Sequence, residues 1–123
     1  MSLDVSLMVT KPVSVYDNNI THNLGKMASE VKLTKGFNYK TKTHGDLTLY
    51  DVLWRPDEHK FEYADDIIDL LDEGYKILIS DPDHFKKFNP ENGWGNYDNL
   101  CKFVYEYWSA CRAEPSAEVE VCR

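Results

Sequence analysis

Ala117-Glu118-Val119-Glu120-Val121-Cys122-Arg123 closes the chain with small or apolar side chains alternating with charged ones. A period of two is the pattern of a strand with one face buried and one in water. A single strand leaves a row of backbone groups unpaired, so this one needs a neighbour. The segment best suited to it is Asp4-Val5-Ser6-Leu7-Met8-Val9, whose β-branched content and partial alternation also predict a strand, ended by Lys11-Pro12. Pairing the two draws the chain ends together into a small sheet.

Most of what lies between them carries helical spacing. Leu100, Val104, Tyr107 and Cys111 share one face of a helix expected from about Tyr97 to Ala113, widened by Phe103 and Trp108 and stopped by Pro115. Between Tyr63 and Ile79 the positions Ile67, Leu71, Tyr75 and Leu78 repeat in the same way, with Asp65, Asp66, Asp69, Asp72 and Glu73 on the remaining surface. The early acids suit the positive end of the helix dipole, and Ser80-Asp81-Pro82 breaks the helix and starts a short turn through Phe88. Ile20, Leu24, Met27 and Val31 predict a further helix, capped by Asn18 or Asn19. The apolar patch Leu47 to Trp54 reads as a short helix or turn that stops at Arg55-Pro56, since proline disfavours helix in the residue before it. The fold class is therefore α+β, with three main helices on a small sheet of N- and C-terminal strands. Residues 32–48, with Lys32, Lys35, Lys40 and Lys42 around Phe37 and Tyr39, read as a basic hairpin or loop inserted into it.

A length of 123 residues leaves room for one core, so the whole chain is expected to be a single domain. A formal charge of -7 argues against broad attraction to nucleic acid, whose phosphates demand clustered cations. No apolar run approaches the roughly 20 residues that cross a bilayer, and Met1 to Ser6 has neither the charge nor the apolar core of a secretory signal. Cys101, Cys111 and Cys122 are odd in number and lack metal-site spacing, which fits reduced thiols. A cytoplasmic location is expected, with no membrane partner, metal or cofactor.

Two segments stand out as candidate binding elements. In the first, Asn19, Thr21, His22, Asn23 and Lys26 gather at the expected start of a helix, whose unpaired N–H groups suit an anion such as phosphate. The plainer alternative is that Asn19 or Thr21 caps the helix while His22 and Asn23 bond to a nearby loop. In the second, Asn89-Pro90-Glu91-Asn92-Gly93-Trp94-Gly95-Asn96-Tyr97 demands a loop of defined turns. Its Asn89, Asn92, Trp94 and Tyr97 suggest a nucleobase pocket, because bases stack on rings and present hydrogen-bonding edges. The plainer reading, and the one the sequence favours, is that Trp94 plugs the core with its glycines allowing close packing while the Asn side chains stabilise turns. Arg55 suits either a phosphate or a structural acid. The acids at 65–69 and at 81–84 read as a wet helix face and a cap rather than a metal site, and no nucleophile, phosphate-loop or dinucleotide motif is present.

The strings Asn19-Ile20-Thr21-His22-Asn23-Leu24-Gly25-Lys26-Met27-Ala28 and Phe85-Lys86-Lys87-Phe88-Asn89-Pro90-Glu91-Asn92-Gly93-Trp94-Gly95 resemble a family of small bacterial and phage proteins without an assigned activity. Leu53-Trp54-Arg55-Pro56 and Ala117 to Val121 are similar to it as well, so the likeness spans most of the chain and departs at about residues 32–48. The resemblance implies a phage or prophage setting. Many phage proteins of this size are non-enzymatic binders, including oligomeric sponges that sequester the cyclic nucleotide signals of bacterial defence. The leading expectation is accordingly a binder of a nucleotide-like small molecule, which as a sponge would be a homo-oligomer. The alternatives are a module that binds a host protein through its acidic helices, and a nucleotide hydrolase using His22 as acid or base.

Overall fold

The computed structural model describes residues 1–10 and 13–123. The chain runs β1 (Ser2–Thr10), β2 (Val13–Thr21), a 3-10 turn (His22–Leu24), α1 (Gly25–Ser29), β3 (Lys32–Leu33), β4 (Phe37–Asn38), β5 (Thr43–His44) and β6 (Leu47–Thr48). It continues through α2 (Leu49–Trp54), a second 3-10 turn (Pro56–His59), α3 (Ala64–Ser80), α4 (Pro82–Lys86), α5 (Tyr97–Ala113) and β7 (Glu118–Cys122). The class is α+β.

The closing segment pairs with the opening one. β7 runs antiparallel to β1 with Val5 opposite Val121 and Leu7 opposite Val119, so the alternation of both strands turns Leu3, Val5 and Leu7 to the core. The same segment holds α3. The carbonyls of Ala117 and Pro115 accept from Ala64 N and Asp65 N at 2.8 and 2.9 Å, satisfying two of the donors that a helix start leaves unpaired. Val119 N donates back to the Glu62 carbonyl at 2.8 Å.

The sheet has three strands, in the order β2-β1-β7. Strand β2 is where the expectation from periodicity fails. Ile20 lies opposite Leu3 and is buried, Asn18 lies opposite Val5 and Tyr16 opposite Leu7, so Asn18 and Asn19 are strand residues and cap no helix. The helix expected from Ile20 to Val31 shrinks to the 3-10 turn and the five residues of α1, with Thr21 capping the turn by accepting from Asn23 N at 3.3 Å. The expected end of the first strand, Lys11-Pro12, lies outside the described residues.

The two long helices follow their apolar spacing. Ile67, Leu71 and Leu78 of α3 and Leu100, Phe103, Val104, Tyr107 and Cys111 of α5 are buried in one continuous core with the sheet. Burying each such large apolar side chain stabilises the fold by about 1.5–3 kcal/mol. Tyr107 stacks on Tyr16 of β2 at 5.9 Å between ring centroids, locking α5 to the sheet. Residues 32–48 form nested ladders, β3 with β6 and β4 with β5, closed by Gly45 N donating to the Gly36 carbonyl at 2.7 Å. Lys40 pairs with Glu58, and Lys60 sits over the Tyr39 ring, so this hairpin leans on the second 3-10 turn.

Arg123 fastens the far end of the sheet. Its Nη1 donates to the Trp54 carbonyl at 3.0 Å and to Asp57 Oδ1 at 2.7 Å, and its Nη2 donates to Asp57 Oδ2 at 3.3 Å. That hydrogen bond holds the Asp57 carboxyl below the ordinary carboxylate range. A depressed pKa stabilises the fold at pH above the unfolded value, about 4, and the contribution is lost as pH falls through the folded value. Asp57 is exposed, so the contribution is small. Asp57→Asn should lower Tm at about pH 7 by no more than about 4 °C. It should also make the loss of Tm on acidification below about pH 4 shallower than in the parent chain, a comparison that melts across a pH series provide.

Candidate functional site

Residues 89–97 are a loop with little freedom. Asn89 Oδ1 accepts from Tyr97 N at 2.8 Å, Gly93 N donates to the Pro90 carbonyl at 3.3 Å, and Asn92 Oδ1 accepts from Trp94 N at 2.9 Å. At its end Asn96 and Asn99 exchange side-chain to backbone bonds in a capping box that starts α5. Tyr97 is buried, and its hydroxyl donates to the Leu78 carbonyl at 2.6 Å, tying the loop to α3. Burial is the main reason its phenol is pushed above the ordinary range.

A loop pinned at both ends presents its tip to solvent. Trp94 is 70% exposed, which overturns the reading of it as a core plug. Its two glycines have different duties. Both have positive φ, +75° at Gly93 and +90° at Gly95, but a Cβ on Gly93 would meet nothing within 4 Å. A Cβ on Gly95 would sit 2.7 Å from Thr21 Cγ2 and 3.1 Å from Leu24 Cδ1. The loop therefore rests on the end of β2 through Gly95.

That contact brings the two conspicuous sequence segments together. Asn19, Thr21 and Asn23 from the first and Asn92 and Trp94 from the second, together with Met1 and Ser2, line an open groove of about 510 Å³. Asn19 points to the outer sheet face beside Asp4, while Thr21 and Asn23 occupy the turn that follows. The lining side chains are amides, hydroxyls, a thioether and an indole, with no formal charge among them. Such a surface offers stacking and hydrogen bonds and little for an isolated anion.

The other candidates serve elsewhere. His22 turns inward, and its Nδ1 accepts from Trp54 Nε1 at 2.7 Å, so its role is to satisfy a buried indole. Lys26 pairs with Glu30 at 3.3 Å and lies over Phe88. Arg55 pairs with Glu58 at 3.2 Å, the structural alternative, and Asn89 and Tyr97 hold the loop as described. The acids of α3 are partly committed as well. Asp66 accepts from Glu62 N and Tyr63 N, Asp72 pairs with Lys76, and Glu73 accepts from Thr34. Burial pushes the Cys111 thiol up to about 12 and raises that of Cys101, disfavouring the thiolate a nucleophile needs.

A second cleft, of about 340 Å³, was not foreseen from the sequence. It shares Asn19 and Thr21 with the groove and is bounded on its other side by Asn99, Lys102 and Glu106 of α5, which periodicity places on the wet side of a core helix. Only the strand assignment of residues 18–21 reveals it. The chain matches no protein-family model, no curated protein and no solved structure. No helix among the described residues is long and apolar enough to cross a membrane.

The two glycines separate backbone strain from contact. Gly93→Ala should cost about 1 kcal/mol, the price of a left-handed alanine alone. Gly95→Ala should cost about 2–4 kcal/mol, because the added methyl also strikes Thr21 and Leu24. Denaturant titration of the two variants measures the difference, and equal losses would mean that the loop does not bear on β2.

Proposed function

We propose that the protein is a non-enzymatic binder of a nucleotide-like small molecule, held by its base in the groove between the Trp94 loop and the end of β2. The observation that carries this reading is the exposed Trp94 ring on a hydrogen-bonded loop, which lines one groove together with Asn19, Asn23 and Asn92. A heterocycle stacked on the indole would present its edge to those amides, each of which can donate and accept. Base recognition of this kind needs no catalytic group, and His22, the residue an enzymatic reading would use, has its Nδ1 engaged by Trp54. No charged side chain lines the groove, so a ligand's phosphates would meet no cluster of cationic side chains there and would project toward solvent. In the phage or prophage setting implied by the resemblance, such a protein would act by sequestering a nucleotide signal.

Titration of the chain with nucleosides, nucleoside monophosphates and cyclic dinucleotides, followed by heat and by indole fluorescence, tests the proposal. Stacking contributes about 1–3 kcal/mol per base, so Trp94→Ala should weaken binding about 5- to 150-fold with Tm unchanged. Binding should respond to the base more than to the number of phosphates. Silence toward the whole panel, or affinity that survives Trp94→Ala, would rule the reading out.

A further inference from the structure

We propose that the free edge of β2 takes up an extended segment of a partner protein as an additional strand, in the cleft between that edge and α5. This surface shares Asn19 and Thr21 with the proposed base-stacking groove but rests on backbone geometry. β2 stands at the edge of the sheet, with β1 on one side only. Four consecutive residues, Asn18, Asn19, Ile20 and Thr21, line the cleft. Successive side chains of a strand point to opposite faces, so four in a row share one lining only where the cleft runs along the backbone edge.

The phase of the ladder says which groups that edge presents. His22 N donates to the Met1 carbonyl at 3.4 Å, and Leu3 lies opposite Ile20 and Val5 opposite Asn18. In an antiparallel pair, bonded and non-bonded pairs alternate, so Asp17, Asn19 and Thr21 turn their N–H and C=O groups away from β1 and toward the open side. The outward N–H of Asn19 is met by the side chain of its own neighbour, Asn18 Oδ1, at 2.8 Å. That bond is a local cap over an edge donor, and an incoming carbonyl would replace it.

The opposite wall fixes the character of the partner. Asn99, Lys102, Phe103 and Glu106 have the spacing of one helical face, and residues 99 to 106 rise about 10 Å along the helix, matching the roughly 10 Å spanned by residues 18 to 21 of an extended strand. Asn18 meets Glu106 at 3.4 Å at one end and Gly95, just before α5, rests against Thr21 at the other, so the two walls run alongside each other over this distance, the shape of a slot for a chain rather than a pit for a compact ligand. Lys102 is exposed and has no ion pair among the described residues, while Glu106 accepts from Asn18 Nδ2 at 3.4 Å. The two charges lie four residues apart, about 6 Å along the axis, close to the 6.6–6.8 Å between side chains two apart on one face of a strand. The occupant is thus an extended peptide segment carrying a basic and an acidic residue at alternate positions, the cation at Glu106 and the carboxylate at Lys102. Strand addition of this kind draws affinity from main-chain bonds and selectivity from alternate side chains.

A library of short random peptides displayed on phage and panned against the whole chain supplies the probe, and an enriched sequence is then synthesised. The expected consensus alternates β-branched residues with a Lys or Arg two positions from an Asp or Glu. Asn19→Pro removes one outward N–H and leaves the β1 ladder intact, and should weaken the synthetic peptide about tenfold or more. Asn18→Ala uncaps that donor and should tighten it, and Lys102→Glu should reverse the preference at the acidic position. No enrichment over a blank surface would overturn the proposal, as would peptide affinity indifferent to both Asn19→Pro and Lys102→Glu. A dimer in sedimentation velocity that Asn19→Pro dissolves would overturn it in favour of a second copy of this chain. Asn19 lines the Trp94 groove as well, whereas Lys102 and Glu106 lie outside it, so the Lys102→Glu arm is the one that separates these outcomes from those for base binding.

Discussion

Everything else in the molecule hangs on the closing segment, residues 115–122. It completes the sheet by pairing with β1, and its carbonyls receive the first N–H groups of α3. One short stretch thereby fixes the distance between sheet and helix that the core must fill. The entropic cost of bringing chain ends together grows only slowly with separation, so a contact between the first and last strands is affordable once helices α3 and α5 supply buried surface. The same arrangement explains why β2 ends as an edge. With β7 occupying the far side of β1, β2 has a neighbour on one side only, and α5 stands beside its other side without covering it.

The parts of this fold that can be read from sequence are those in which one period dominates. The alternation at residues 117–123, the apolar faces of α3 and α5, and the turn-bounded basic hairpin all appear where the patterns place them. β2 was illegible because two periods overlap on it. Ile20, Leu24, Met27 and Val31 have helical spacing, yet Ile20 also belongs to the alternating set Tyr16, Asn18, Ile20 that faces β1 residues Leu7, Val5 and Leu3. Asparagine is depleted in strands and favoured at helix caps, so local propensity pointed away from the pairing that tertiary packing selects. The missed strand then hid the cleft beside α5, since Asn99, Lys102 and Glu106 are unremarkable until an edge strand lies opposite them.

The candidate site was legible as two segments and illegible as a groove. Their residue types announced hydrogen bonding and stacking, but which members converge depends on Gly95 resting on Thr21 and Leu24, a contact between residues more than seventy positions apart. The same contact sorts the candidates. Asn23 and Asn92 remain on the open side, while His22, next in sequence to both Thr21 and Asn23, turns in to accept from Trp54. A histidine beside asparagines reads as chemistry, and a tryptophan thirty-two residues on decides otherwise.

Exposed indole and uncovered strand edge are both features that packing alone does not favour. Trp94 stays out of the core on a hydrogen-bonded loop flanked by two positive-φ glycines. The outward N–H of Asn19 on the edge of β2 is capped by the Asn18 side chain, the kind of local bond that blunts indiscriminate edge pairing. Departures from local consistency of this sort tend to mark where a fold meets a partner. Here both departures meet at Asn19 and Thr21, which line the groove on one side and the cleft on the other. Anything that shifts the end of β2 must alter both surfaces together.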